Sequence, residues 1–113
     1  MSSNSQYLLE SYTHPGDSTT ETVTGDAIKG DGYYGRSDGL HTVQYNYTGF
    51  TGSFTTQATL EINPTDDDWF NVDILSVNQN TGSRIANFTG NYVWIRVVVV
   101  YTDGTVNSVL LNN

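Results

Sequence analysis

From Gly90 to Tyr101 the chain reads Gly-Asn-Tyr-Val-Trp-Ile-Arg-Val-Val-Val-Val-Tyr, and after Asp103-Gly104 a second apolar stretch runs from Thr105 to Leu111. β-Branched and aromatic side chains fit a pleated sheet, and an Asp-Gly pair supplies the positive φ of a tight turn, so the spacing predicts a terminal β-hairpin. One face of its first strand carries Val93, Ile95, Val97, Val99 and Tyr101; the other carries Tyr92, Trp94, Arg96, Val98 and Val100. Both faces are largely apolar, and each needs cover. A sandwich core can cover one, which leaves the other to a loop, an N-terminal segment or a neighbouring subunit.

The same alternation recurs upstream. His41, Val43, Tyr45 and Tyr47 alternate with Thr42, Gln44 and Asn46, and Phe54, Thr56, Ala58, Leu60 and Ile62 alternate with Thr55, Gln57, Thr59 and Glu61. These segments read as half-buried antiparallel strands. Pro64 and Asp66-Asp67-Asp68 break the pattern, and Trp69–Leu75 resumes it with Phe70, Val72 and Ile74 on one face. Asn78–Ser83 is rich in turn formers, Arg84–Phe88 reads as a short strand, and Thr19–Thr24 as a polar one. Gly25–Gly39 holds five glycines and reads as a loop or broken strand. Gln6–Tyr12 fits either an edge strand or an arm packed on another subunit; the arm reading implies that residues 2–12 can be removed without unfolding the rest. The motif Phe50-Thr51-Gly52-Ser53-Phe54 echoes Phe88-Thr89-Gly90-Asn91-Tyr92, which suggests equivalent geometry at two strand entrances.

No convincing helix interrupts these strands. The expected fold is all-β, one antiparallel β-sandwich of about seven or eight strands over residues 1–113, with a jelly roll as one arrangement and 1–12 as the arm. A chain of this size can bury a core without staples, and with no cysteine it has no disulfide or thiolate ligand. Only polar residues flank the initial Met before Tyr7, so no secretion signal is expected, and no apolar stretch reaches the length of a membrane-spanning helix. A formal charge of −8 disfavours phosphate backbones and anionic membranes, so neither nucleic acid nor membrane is an expected partner.

Candidate chemistry is sparse. His14 and His41 are far apart in sequence, and no serine sits in a nucleophile elbow. His41 alternates with core positions and reads as a packed or hydrogen-bonded side chain; His14, before Pro15-Gly16, reads as a turn residue. Asp66-Asp67-Asp68 lacks the spacing of a calcium loop and reads as a solvated turn with one carboxylate capping the backbone. Gly30–Arg36 fits no phosphate-binding fingerprint. The sequons at Asn46 and Asn87 are discounted. No catalytic residue, cofactor or metal is assigned, and the chain is expected not to be an enzyme.

Tyr47–Phe54, Gln57–Glu61, Pro64, Asp67-Asp68-Trp69-Phe70, Phe88–Arg96 and the Asp103-Gly104 segment through Asn112 occur in one order. In that order the chain resembles small virion structural proteins of tailed marine phages, especially contractile-tailed cyanophages, over residues 40–113. The resemblance implies a particle component, such as a capsid decoration protein or a neck, tail or fibre subunit.

Eight Tyr, two Trp and four Phe allow two readings. One is a sugar platform built on Tyr33, Tyr34, Trp69 or Trp94, which makes the chain a lectin-like receptor-binding domain for a host surface glycan. The favoured one has the tryptophans closing the sandwich ends while other aromatics meet neighbouring subunits. The expected assembly surface comprises Tyr7, Leu8, Leu9, Tyr33, Tyr34, Tyr92, Trp94, Val98 and Val100. Its expected partners are other virion proteins and further copies of the chain, on the outer surface of the head or tail.

Overall fold

A computed structural model describes residues 6–16, 19–30 and 39–112. Three long strands dominate it: β5 (Leu40–Thr59), β6 (Phe70–Thr89) and β7 (Trp94–Asn112). Four short ones precede them: β1 (Gln6–Leu9), β2 (Tyr12–Thr13), β3 (Glu21–Thr24) and β4 (Ile28–Lys29). All pairings are antiparallel. β5 lies between β6 and β7, and β1 to β4 pair in succession along the other side of β7, from Leu111 back to Trp94.

This single sheet becomes a sandwich by folding across its own strands. Tyr45 and Thr56 are 11 positions apart on β5, yet the Tyr45 hydroxyl lies 2.6 Å from Thr56 Oγ1. An unbent strand would separate them by roughly 35 Å. The inward set on β5 accordingly changes phase, from His41, Val43, Tyr45 and Tyr47 to Phe50, Phe54, Thr56 and Ala58. The first layer contains β1, the N-terminal half of β5 and the C-terminal halves of β6 and β7. The second contains β3, β4 and the remaining halves. The shortest extent of the molecule, 18 Å, suits two packed layers.

The fold line explains the turn-forming residues. Asp103-Gly104 does not close a hairpin: β7 runs through it, with Gly104 at φ +95°. The positive φ that Asp-Gly supplies to a turn here bends one strand between layers. Gly104 also packs against the Gly49 carbonyl, where a Cβ would collide. On β6 the segment expected to separate two strands is continuous as well, bent at Gln79 with φ +47°. Thr51 Oγ1 accepts from Gln79 N at 3.0 Å, and Thr81 Oγ1 accepts from Gly49 N at 2.8 Å, which ties the bends of β5 and β6 together. The Phe50 and Phe88 motifs are therefore not equivalent. The first lies at the bend of β5, and the second ends β6.

The core sits between the layers. Ile95, Val97 and Val99 are wholly buried, and Tyr101 nearly so, which places the odd-numbered face of β7 inward. Phe50 stacks on Phe54 at 4.5 Å and on Tyr101 at 5.6 Å, at the fold line. Two apolar alternations do not reach the core. β5 ends at Thr59, so Leu60 and Ile62 are exposed. On β6 the inward register belongs to Leu75 opposite Phe54 and Val77 opposite Gly52, which leaves Phe70 and Ile74 exposed.

Both histidines are structural. His41 is buried, donates Nδ1–H to Gly39 O at 2.9 Å and stacks on Phe88 at 5.0 Å. His14 accepts from Gly16 N through Nδ1 at 2.9 Å and donates Nε2–H to Thr19 O at 2.8 Å. These bonds tie the His14 ring to Gly16 and Thr19, and the ring meets Tyr101 edge-on at 5.2 Å.

Candidate functional site

The connection from β5 to β6 builds the most organised polar surface. After Thr59 the chain turns outward, with Thr59 Oγ1 accepting from Glu61 N at 3.1 Å, and crosses the outer face of the second layer. There Ile62 O accepts the Trp94 indole N–H at 2.9 Å. A recess of about 440 Å³ remains among Ala27, Ile62, Asn63, Pro64 and Trp94. A 3₁₀ turn at Asp66–Asp68 follows, in which Asp68 Oδ2 accepts from the Thr65 backbone N–H at 2.8 Å and its hydroxyl at 3.1 Å. That turn delivers Trp69 onto Arg96.

Arg96 projects from the same face of β7 as Trp94, and its guanidinium carbon lies 4.4 Å from the centre of the Trp69 ring. Arg96 Nε donates to Gln57 Oε1 at 2.9 Å, and Gln57 Nε2 donates to Asn71 Oδ1 at 3.0 Å. Arg96 Nη1 lies 3.5 Å from Asp66 Oδ1, a weak surface pair because the Asp66 side chain is 96% exposed. The Arg96 side chain itself is only 15% exposed. Packing and a hydrogen bond thus restrain the guanidinium beside the exposed Asp66 carboxylate, and Asn71 is oriented by the same relay.

A second feature is the free side of β6. Among the described residues β6 pairs only with β5. Along this 20-residue strand Phe70, Ile74 and Ile85 are 69%, 61% and 65% exposed.

The expected assembly residues scatter. Leu8 and Leu9 are buried in the chain's own core, because β1 pairs with Leu110 and Leu111 as an edge strand. They offer nothing to a neighbour, which corrects the arm reading. Tyr7, on the opposite face of β1, is exposed. Tyr92 packs on Phe88 and His41 with ring separations of 6.2 and 6.3 Å. Trp94 is half-covered by the crossing loop, Val98 is half-buried between Thr24 and Thr55, and Val100 is 37% exposed. On the second face of β7, Ile62–Trp69 therefore covers Trp94 and Arg96 from within, while Val100 stays exposed. Tyr33 and Tyr34 lie outside the described residues. Sequence reasoning missed Arg96, Gln57 and Asn71 as a unit. Gln57 and Arg96 are 39 positions apart, and only the β5–β7 register makes them neighbours.

Among the described residues Tyr45 is the most perturbed ionisable group. Burial, and then the Asp73 carboxylate to which its hydroxyl donates at 2.7 Å, hold the phenol well above its ordinary range, while the Thr56 hydrogen bond opposes the shift. Burial, with Glu21 and Tyr12 adding to it, raises Tyr101 as well. Among the described residues no cluster of three or more His, Asp or Glu is placed to hold a metal ion.

No family model matches the chain, and no curated protein does. Solved structures do. A chain from the structure of infectious bursal disease virus, Gx strain, aligns at 10% identity with a TM-score of 0.51, over 99% of this chain and 32% of that one. A family 29 carbohydrate-binding module from Piromyces equi aligns at 12% identity and TM-score 0.49, over 100% and 93% of the two chains. A module from Cellvibrio mixtus lichenase 5A, in complex with cellotriose, aligns at 12% identity and TM-score 0.43, over 96% and 98%. At 10% identity the likeness to the viral structure is one of fold alone.

Proposed function

We propose that this chain is a non-enzymatic subunit of a phage particle's outer surface, a capsid decoration or cement protein that acts by pairing with its neighbours. The observation that carries this reading is the open side of β6, long and studded with exposed Phe70, Ile74 and Ile85. A strand edge of that length is a template for another strand unless charge or proline blunts it, and β6 contains no proline and, between Asp73 and Arg84, no charge. The neighbour it fits is a strand edge of an adjacent virion subunit, either another copy of the chain or a shell protein. The −8 charge favours a position outside the shell, away from packaged DNA. The resemblance of residues 40–113 to virion proteins of tailed phages supports the same placement.

The test is to build Ile74→Lys with Ile85→Lys into the particle. Both side chains are exposed, so the isolated domain keeps its thermal transition, while occupancy on purified particles falls severalfold. Wild-type occupancy of the double variant would contradict the reading.

A further inference from the structure

We propose that the Trp69–Arg96 surface is a binding site for an uncharged glycan, a role distinct from strand pairing although Asn71 of the site lies on β6. Four features point to this ligand class.

The donors are built in. Arg96 is clamped by the Trp69 ring at 4.4 Å and by Gln57 at 2.9 Å, and Asn71, an exposed residue, accepts from Gln57 at 3.0 Å through Oδ1, which leaves its amide N–H groups as further donors. Rotamers fixed beforehand cost little to order on binding. An acceptor stands beside them, since Asp66 lies 3.5 Å from Arg96 with its carboxylate in solvent. A sugar hydroxyl both donates and accepts, so one hydroxyl pair can satisfy Arg96 and Asp66 together.

Apolar area accompanies the polar groups. Trp69 is half-buried, and the recess over Trp94 begins two residues away on the same face of β7, roughly 7 Å along the strand. Indoles next to hydrogen-bonding groups suit the mixed faces of a pyranose. The local charge then decides between ligands of similar shape. One guanidinium faces Asp66, the first of three consecutive aspartates, in a chain of net charge −8. A phosphate, sulfate or uronate would gain Arg96 and be repelled by the run, whereas a neutral sugar is indifferent to the surplus.

The experiment follows side-chain and indole N–H resonances of the ¹⁵N-labelled chain during titration with neutral gluco-, manno- and galacto-oligosaccharides and, separately, an oligogalacturonate. The expected result is saturable shifts of the Trp69 indole and the Gln57 and Asn71 amides with at least one neutral series, and weaker or absent shifts with the uronate. Asn71→Ala, at an exposed position, should keep the fold and weaken binding about tenfold, the loss of one well-placed hydrogen bond. Trp69→Ala should abolish binding. No shift with any neutral series, shifts centred elsewhere, tighter binding of the uronate, or unchanged affinity in Asn71→Ala would each overturn the assignment. None of these outcomes bears on particle occupancy, so this proposal and the β6 reading fail separately.

Discussion

Tyr45 shows how one polar group inside an apolar core can fix the layers against each other. Its hydroxyl receives a hydrogen bond from Thr56, on the opposite layer, and donates to Asp73 on β6, so a single phenol joins both halves of β5 to the edge strand. Tyr45→Phe removes that junction and leaves two polar side chains short of a partner, a loss of about 1–3 kcal/mol in unfolding free energy measured by denaturant titration. The pH dependence has a definite sign. The folded-state pKa lies above the ordinary value of 10.0, so the unfolded chain releases this proton first as pH rises. The stabilisation is complete below pH 10 and is lost progressively above it. Tyr45→Phe should flatten that part of the alkaline stability profile; an unchanged slope in the variant would contradict the assignment.

At the scale of elements, the fold line governs stability. Gly104 takes a φ of +95° against Gly49, and any side chain there meets backbone rather than a yielding neighbour. Gly104→Ala should therefore cost at least about 2 kcal/mol, read as a drop in the thermal midpoint. β1 is equally integral. Leu8→Ala with Leu9→Ala should destabilise by several kcal/mol, on the order of 2–5 for each fully buried leucine, where a free arm would have tolerated both. Much of this was legible beforehand. The alternation of His41, Val43, Tyr45 and Tyr47 and the inward face of Ile95–Tyr101 follow directly from the two-residue period. The continuity of the long strands was not, because Asp103-Gly104 and Asn78–Ser83 carry the local chemistry of turns, and a strand bend demands the same positive φ as a hairpin. Only non-local register distinguishes them. The same limit hid the Arg96–Gln57–Asn71 relay, whose members are ordinary polar residues until three strands align, and it made Phe70 and Ile74 look like core positions.

Over the whole molecule, two surfaces divide the available interactions. The β6 edge presents main-chain groups and exposed apolar side chains suited to a neighbouring strand, and the Trp69–Arg96 face presents hydrogen-bonding groups beside a loop that covers Trp94 and Arg96. The bend places both in one thin, two-layered body 44 by 33 by 18 Å in extent, a shape that can lie against a shell with one broad face still outward. Repetition over a particle would convert a modest edge contact into firm attachment. The central claim is that the chain is a stoichiometric part of a particle surface, and quantitative mass spectrometry of purified particles tests it most directly. The account predicts a fixed ratio to a head, neck or tail subunit that survives repeated purification and is accessible to antibody on intact particles; absence of the chain from such particles would contradict it.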